Sequence, residues 1–135
     1  MSELPKSLQA VPLPNLGQDD RFATTSNLVN TISMKIVDPG SQSIWGYISI
    51  DNTDRGPGLG GIRMVKEVSL NEIRRLARVM TLKNSAACLP YGGAKAGIIL
   101  KSHKLVENTS FREGLMEKLA DCLFELPNYC PAPDM

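Results

Sequence analysis

Apolar residues first alternate along this chain and then change period. From Thr31 to Val37 they fall on every second position (Ile32, Met34, Ile36), the spacing of a strand with one buried face. Asp38-Pro39-Gly40-Ser41 follows as a turn, because proline presets φ and glycine accepts unusual backbone angles. Ser43 to Ile50 alternates again, with Ile44, Ile48 and Ile50 on one side and Trp45 and Tyr47 on the other. The pair predicts an antiparallel hairpin. Arg55 to Gly61 reads as a Gly-rich turn, and Ile62 to Val68 as a third strand. The period then lengthens. Leu70, Ile73, Leu76, Ala77 and Met80 share one helical face, Ser69-x-x-Glu72 is a capping box at its start, and the helix should run to about Ala87, ahead of Pro90.

Pro90 to Ala94 reads as a loop and Ala96 to Leu100 as a short buried strand. A second helix is expected from near Thr109, with Ser110-x-x-Glu113 as its capping box. Its stripe is Phe111, Leu115, Leu119, Cys122, Leu123 and Leu126, and Pro127 ends it. The tail from Tyr129 to Asp134 is extended at most. Residues 1–20, with Pro5, Pro12, Pro14 and Gly17, read as an irregular arm leading to a short helix. Strands followed by strands alternating with helices predict a single α/β domain over residues 21–135, a mixed β-sheet with helices packed on it.

Composition narrows the function more than the fold. The chain has 135 residues, 42% hydrophobic and 21% charged, enough for one soluble domain with its own core. A net charge of +1 offers no bulk attraction to nucleic acid or to a membrane surface, so neither is expected as a partner. No run approaches the ~18 apolar residues of a membrane span. Met1-Ser2-Glu3-Leu4-Pro5 lacks the basic and apolar regions of a signal peptide, so the expected location is cytoplasmic. The cysteines (Cys88, Cys122, Cys130) are odd in number and form no Cys-x-x-Cys pair. Buried reduced thiols are expected rather than a disulfide framework. The single histidine, His103, argues against a metal site and against Ser-His or Cys-His catalysis within the chain.

Gly56-Pro57-Gly58-Leu59-Gly60-Gly61 formally spells G-x-G-x-x-G. A dinucleotide fingerprint needs a helix to open at its end, facing the pyrophosphate. Here the next residues, Ile62-Arg63-Met64-Val65, are strand-like. A turn between strands, or backbone kept bare for a ligand, fits better. Gly92-Gly93-Ala94-Lys95 lacks the spacing and the Ser/Thr of a Walker loop.

Three polar residues stand out. At 100° per residue, Lys83 falls about 20° from Leu76, which puts a cation on the apolar stripe near a helix C-terminus. It either snorkels there, favoured by the helix dipole, or turns inward to hold an anion such as a carboxylate. Lys95 follows two glycines and begins the apolar run to Leu100. It is either an ordinary strand-edge lysine or a partly desolvated amine able to act as a base. Asp134 sits in Pro131-Ala132-Pro133-Asp134, where two prolines stiffen its frame. It is either a turn residue or a held carboxylate.

Four runs in order give these residues a common context. They are Leu59-Gly60-Gly61-Ile62-Arg63-Met64, Met80-Thr81-Leu82-Lys83-Asn84, Leu89-Pro90-Tyr91-Gly92-Gly93-Ala94-Lys95-Ala96-Gly97, and Pro131-Ala132-Pro133-Asp134. From roughly Ile36 to Met135 the chain resembles the N-terminal, substrate-binding and dimerisation domain of the glutamate/leucine/phenylalanine/valine dehydrogenases. The resemblance implies NAD(P)-dependent, reversible oxidative deamination of an L-amino acid to a 2-oxo acid and ammonium. It implies that Lys83 holds the substrate α-carboxylate, that Leu59, Gly60, Gly61 and Met80 line the same pocket, and that Lys95 and Asp134 are catalytic. Lys95 would assist water attack and proton traffic at the α-carbon, and Asp134 would exchange a proton with the amino group.

It also implies a homo-oligomer built through this domain, and NAD or NADP bound mainly by a Rossmann domain that these 135 residues do not contain, so that the fragment alone would be inactive. Leu59 stands where glutamate-specific members carry a lysine, and an apolar wall cannot pair a buried carboxylate, which favours an aliphatic or aromatic substrate. The Pro-Tyr-Gly-Gly and Pro-Ala-Pro-Asp runs are closer to the glutamate enzymes. Lys101-Ser102 stands where the family has a small polar residue and proline, a loop difference. The alternative is a stand-alone ligand-binding or oligomerisation module that has lost catalysis.

Overall fold

The computed structural model describes residues 3–14 and 31–132. In chain order these form β1 (Gln9–Pro12), β2 (Ile32–Val37), β3 (Ile44–Asn52), β4 (Gly58–Val65), α1 (Leu70–Ala86), β5 (Gly92–Ile99), α2 (His103–Glu107), α3 (Thr109–Phe124) and β6 (Tyr129–Ala132). The six strands make one sheet in the order β1-β2-β3-β5-β4-β6. β1, β2, β3 and β5 pair antiparallel, whereas β4 runs parallel to both β5 and β6. The mixed sheet with packed helices is the α/β architecture expected from the hydrophobic pattern.

The hairpin forms where the alternation places it. Ile32 pairs with Ile50 and Met34 with Ile48 across β2 and β3. Asp38 organises the turn: its Oδ1 accepts from Gly40 N at 2.9 Å, its carbonyl accepts from Gln42 N at 2.7 Å, and Gln42 takes a left-handed φ of 58°. Met34, Ile36, Ile48 and Ile50 are buried, but Ile44 is 40% exposed at the hairpin tip, beyond the core.

Alternation gives the central strand β5 two different faces. Ala94, Ala96 and Ile98 join Met34, Ile36, Ile48, Ile50 and the α3 residues Phe111, Leu115, Leu119, Cys122 and Leu123 in the main core. Gly93 and Gly97 point the other way, toward Ala77, Thr81 and Ile73 of α1. The domain is therefore three layers, α1 over one face and α3 over the other. Five of the six stripe residues that helical spacing predicts are buried on α3, and the sixth, Leu126, lies past the helix end and packs half-buried against the core.

Several boundaries differ from the sequence reading, each for a local reason. Residues 9–12, expected within an irregular arm, form edge strand β1 because pairing Gln9–Pro12 with Met34–Val37 satisfies their backbone. The short helix expected after the arm lies outside the described residues. Gly58–Gly61, expected as turn, belongs to β4, held between β5 and β6. Likewise Gly92–Ala94 starts β5 rather than ending a loop. The five-residue α2 is too short to show a periodic stripe. Ser69 caps α1, accepting from Glu72 N at 3.2 Å, but the Glu72 carboxylate turns to Arg63 at 3.1 Å. α3 is capped by Asn108, which accepts from Phe111 N at 3.0 Å, and not by Ser110.

Candidate functional site at the C-terminal end of α1

Bonds on its two flanks hold α1 across the sheet. On the β3 side, Thr81 Oγ1 donates to Asp51 Oδ2 at 2.6 Å, and Arg78 Nη1 lies 3.3 Å from the same oxygen. On the β4 side, Glu72 pairs with Arg63, and Asn84 Nδ2 donates to Leu59 O at 3.2 Å and Gly92 O at 2.7 Å. Taking Glu72 as zero on a helical wheel, Lys83 falls near 20°, Met80 near 80°, Asn84 near 120° and Thr81 near 180°. Lys83 and Met80 therefore overhang β4, the strand that carries Leu59, Gly60 and Gly61. Lys83 is exposed and Met80 half-buried. The chain leaves the helix through Ala87, whose N–H bonds to Lys83 O at 3.0 Å, and Cys88, which holds a left-handed φ of 55°.

Lys95 lies mid-strand in β5, on the α1 face between Gly93 and Gly97, and is only 8% exposed. Its antiparallel partner is Ser49, fully buried, whose Oγ has no hydrogen-bond partner among the described residues. Leu59 is half-buried and Gly60 and Gly61 are buried beside β5. On their other side they pair with β6, Leu59 opposite Cys130, Gly60 opposite Pro131 and Gly61 opposite Ala132. Asp134 lies outside the described residues. Thus Leu59, Gly60, Gly61, Met80, Lys83 and Lys95 belong to one corner of the fold, where the end of α1 crosses β4 and β5.

Two residues of this corner escape motif reading. Asn84 is 4% exposed and shares the azimuth of Ile73 and Ala77, so a polar residue on the buried stripe was its available signal. Tyr129 Oη donates to Gly60 O at 3.1 Å, and burial pushes its phenol up, keeping it a donor. Nothing in its local sequence announces that bond. Asn84→Ala should strip one buried and one half-buried carbonyl of a partner and cost about 2–4 kcal/mol, read as a lower urea midpoint with unchanged m. A change below about 0.5 kcal/mol would show that the strap is idle.

A separate groove of about 930 Å³ lies between β4 and α3, lined by Ile62, Met64, Arg112, Met116 and Ala120 among others. It is on the sheet face opposite Lys95. Gly56 turns at a φ of 144° and Gly58–Gly61 continues into strand, so the G-x-G-x-x-G run opens no helix, the element a dinucleotide fingerprint requires. Among the described residues no cluster of His, Cys, Asp and Glu could hold a metal ion, and no helix is long and apolar enough to cross a membrane.

The sequence profile of the Glu/Leu/Phe/Val dehydrogenase dimerisation domain matches residues 27–135. The chain is 37% identical over 123 residues to the NADP-specific glutamate dehydrogenase of Synechocystis, covering 87% of this chain and 28% of that protein. It is 39% identical over 102 residues to the NADP(+)-dependent glutamate dehydrogenase of Pyrobaculum calidifontis, covering 73% and 24%. Among solved structures, it superposes on the hetero-hexameric glutamate dehydrogenase of Thermus thermophilus in its Leu-bound form with a TM-score of 0.61 and 28% identity, over 97% of this chain and 27% of that one. L-tryptophan dehydrogenase from Nostoc punctiforme gives a TM-score of 0.54 and 25% identity, over 76% and 30%. The chain belongs to the Glu/Leu/Phe/Val dehydrogenase family, in its dimerisation domain, and spans about a quarter of the length of these relatives.

Proposed function

We propose that this domain is the substrate-binding half of an NAD(P)-dependent amino-acid dehydrogenase. The overall reaction is L-amino acid, NAD(P)⁺ and water to 2-oxo acid, ammonium, NAD(P)H and a proton. The observation that carries the reading is Lys95, a lysine shielded on the α1 face beside a glycine segment, with a second lysine on the helix end above. Lys83, on its flexible stem, pairs with the substrate α-carboxylate, as a carboxylate leaving bulk water requires a cation. Lys95 takes and returns the proton of the water that attacks the α-carbon, and Asp134 exchanges a proton with the amino group. Leu59 and Met80 form an apolar wall, so the favoured side chain is aliphatic or aromatic rather than a carboxylate.

The G-x-G-x-x-G run opens no helix to face a pyrophosphate, so no step here runs through a dinucleotide. Self-association through this domain and a cytoplasmic location belong to the same reading. The family's character as a dimerisation domain supports the first.

A thermal-shift panel of L-amino acids and 2-oxo acids tests the proposal. 4-Methyl-2-oxopentanoate should raise Tm more than 2-oxoglutarate. In Lys83→Ala the same shift should need at least about 10-fold more ligand, the scale of a lost charge-assisted bond. A panel in which no acid raises Tm would refute the substrate-binding reading, and an undiminished response in Lys83→Ala would remove Lys83 from it.

A further inference from the structure

The ladder around β4 changes where the site residues lie. Gly58 and Leu59 pair with Gly92 and Gly93 of β5, and the pairing resumes at Ile62 with Ala96. Gly60 and Gly61, in between, pair with Pro131 and Ala132 of β6. The backbones are crowded here: a Cβ on Gly60 would come within 1.6 Å of Ala94 O.

Side chains add hydrogen bonds to this ladder. Asn84 Nδ2, from the α1 layer, donates to Leu59 O at 3.2 Å. Tyr129 Oη donates to Gly60 O at 3.1 Å, and Tyr129 packs in the α3-side core. Two successive carbonyls are thus held from opposite layers by residues that are 4% and 6% exposed. A trans peptide points its C=O and N–H in opposite directions. Holding Gly60 O on the β6 side therefore keeps Gly61 N–H on the β5 side, at the break in the β4–β5 pairing and level with Lys95.

We propose that Tyr129 is a positioning residue for substrate binding: with Asn84 it clamps the Leu59 and Gly60 carbonyls so that Gly61 N–H faces the carboxylate held by Lys83. The proposal rests on the substrate-binding reading above. Tyr129 touches no substrate. It acts through the peptide plane, which a phenylalanine of the same shape would fill but not hold.

Tyr129→Phe tests this by two measurements on the same 135-residue chain. Amide hydrogen exchange needs no ligand: Gly60–Ile62 should exchange about 10-fold faster, while Ile48–Ile50 stays at the wild-type rate. The dissociation constant for 4-methyl-2-oxopentanoate should rise by about 10-fold, the loss expected when one donor is misdirected. A merely structural tyrosine would change exchange throughout the core and leave that constant unaltered once the variant is folded. Unchanged exchange at Gly60–Ile62 overturns the clamp, and faster exchange with an unchanged constant overturns its link to binding. If the wild-type chain binds no 2-oxo acid, the substrate-binding reading falls and the positioning role falls with it. The exchange result still decides whether the clamp exists.

Discussion

Gly93→Ala is expected to destabilise the domain by about 3–5 kcal/mol, a large share of the 5–15 kcal/mol typical of a domain this size. The reason is what the new methyl meets. A Cβ on Gly93 would lie 2.1 Å from Thr81 N and 2.6 Å from Ala77 O, both helix backbone. Backbone cannot rotate out of the way as a side chain can, so α1 would have to rise from the sheet. Rising would stretch the Asn84 bonds to Leu59 O and Gly92 O and the Thr81 bond to Asp51 together. Gly40→Ala is the matched control. Its Cβ would meet Asp38 Oδ1 at 3.4 Å, at an exposed turn, so stability should change by less than about 0.5 kcal/mol. Urea unfolding of the two variants measures the contrast. A Gly93→Ala midpoint close to wild type would mean that α1 does not seat on Gly93 as described.

Lys95→Ala should abolish most catalysis in the enzyme that carries this domain, lowering turnover by about 10²–10⁴-fold, the range for loss of a general acid–base group. The group is deep, 8% exposed on the covered face of the sheet, so no solvent-borne residue can replace it easily. Lys95→Arg should not rescue turnover, because a guanidinium keeps its proton and cannot cycle as a base. The contrast with Lys83 gives the test its resolution. Loss of a carboxylate anchor should appear mainly in the Michaelis constant, whereas loss of Lys95 should appear in kcat. Steady-state kinetics of the three variants separates these. Turnover within a few-fold of wild type in Lys95→Ala would exclude Lys95 from the chemistry.

What could be read from the sequence was what local forces decide. Ser69 caps α1 and the β2–β3 hairpin forms, because a cap and a tight turn depend on a few neighbouring residues. The α3 stripe is legible because five side chains on one face meet one core. Partners distant in the chain decide the elements that differ. Gly58 to Gly61 has almost no intrinsic strand preference and becomes β4 only because β5 and β6 flank it. Gln9–Pro12 is a strand only by pairing with β2. In the candidate site, motif order singled out Lys83 and Lys95 but not the side chains that bind the backbone around them. Asn84 and Tyr129 act on carbonyls 25 and 69 positions away, a relation that no spacing rule encodes.

The sheet order also fixes a sequence of events in time. β4 is completed at Val65, yet its inner neighbour starts at Gly92 and its outer neighbour at Tyr129, 64 positions later. During synthesis at about 5–20 residues per second, that outer edge waits roughly 3–13 s for its cover. The β2–β3 hairpin needs no such delay. The nascent domain thus assembles from its antiparallel side first, and the glycine-rich strand β4 is the last to be enclosed by neighbours on both edges.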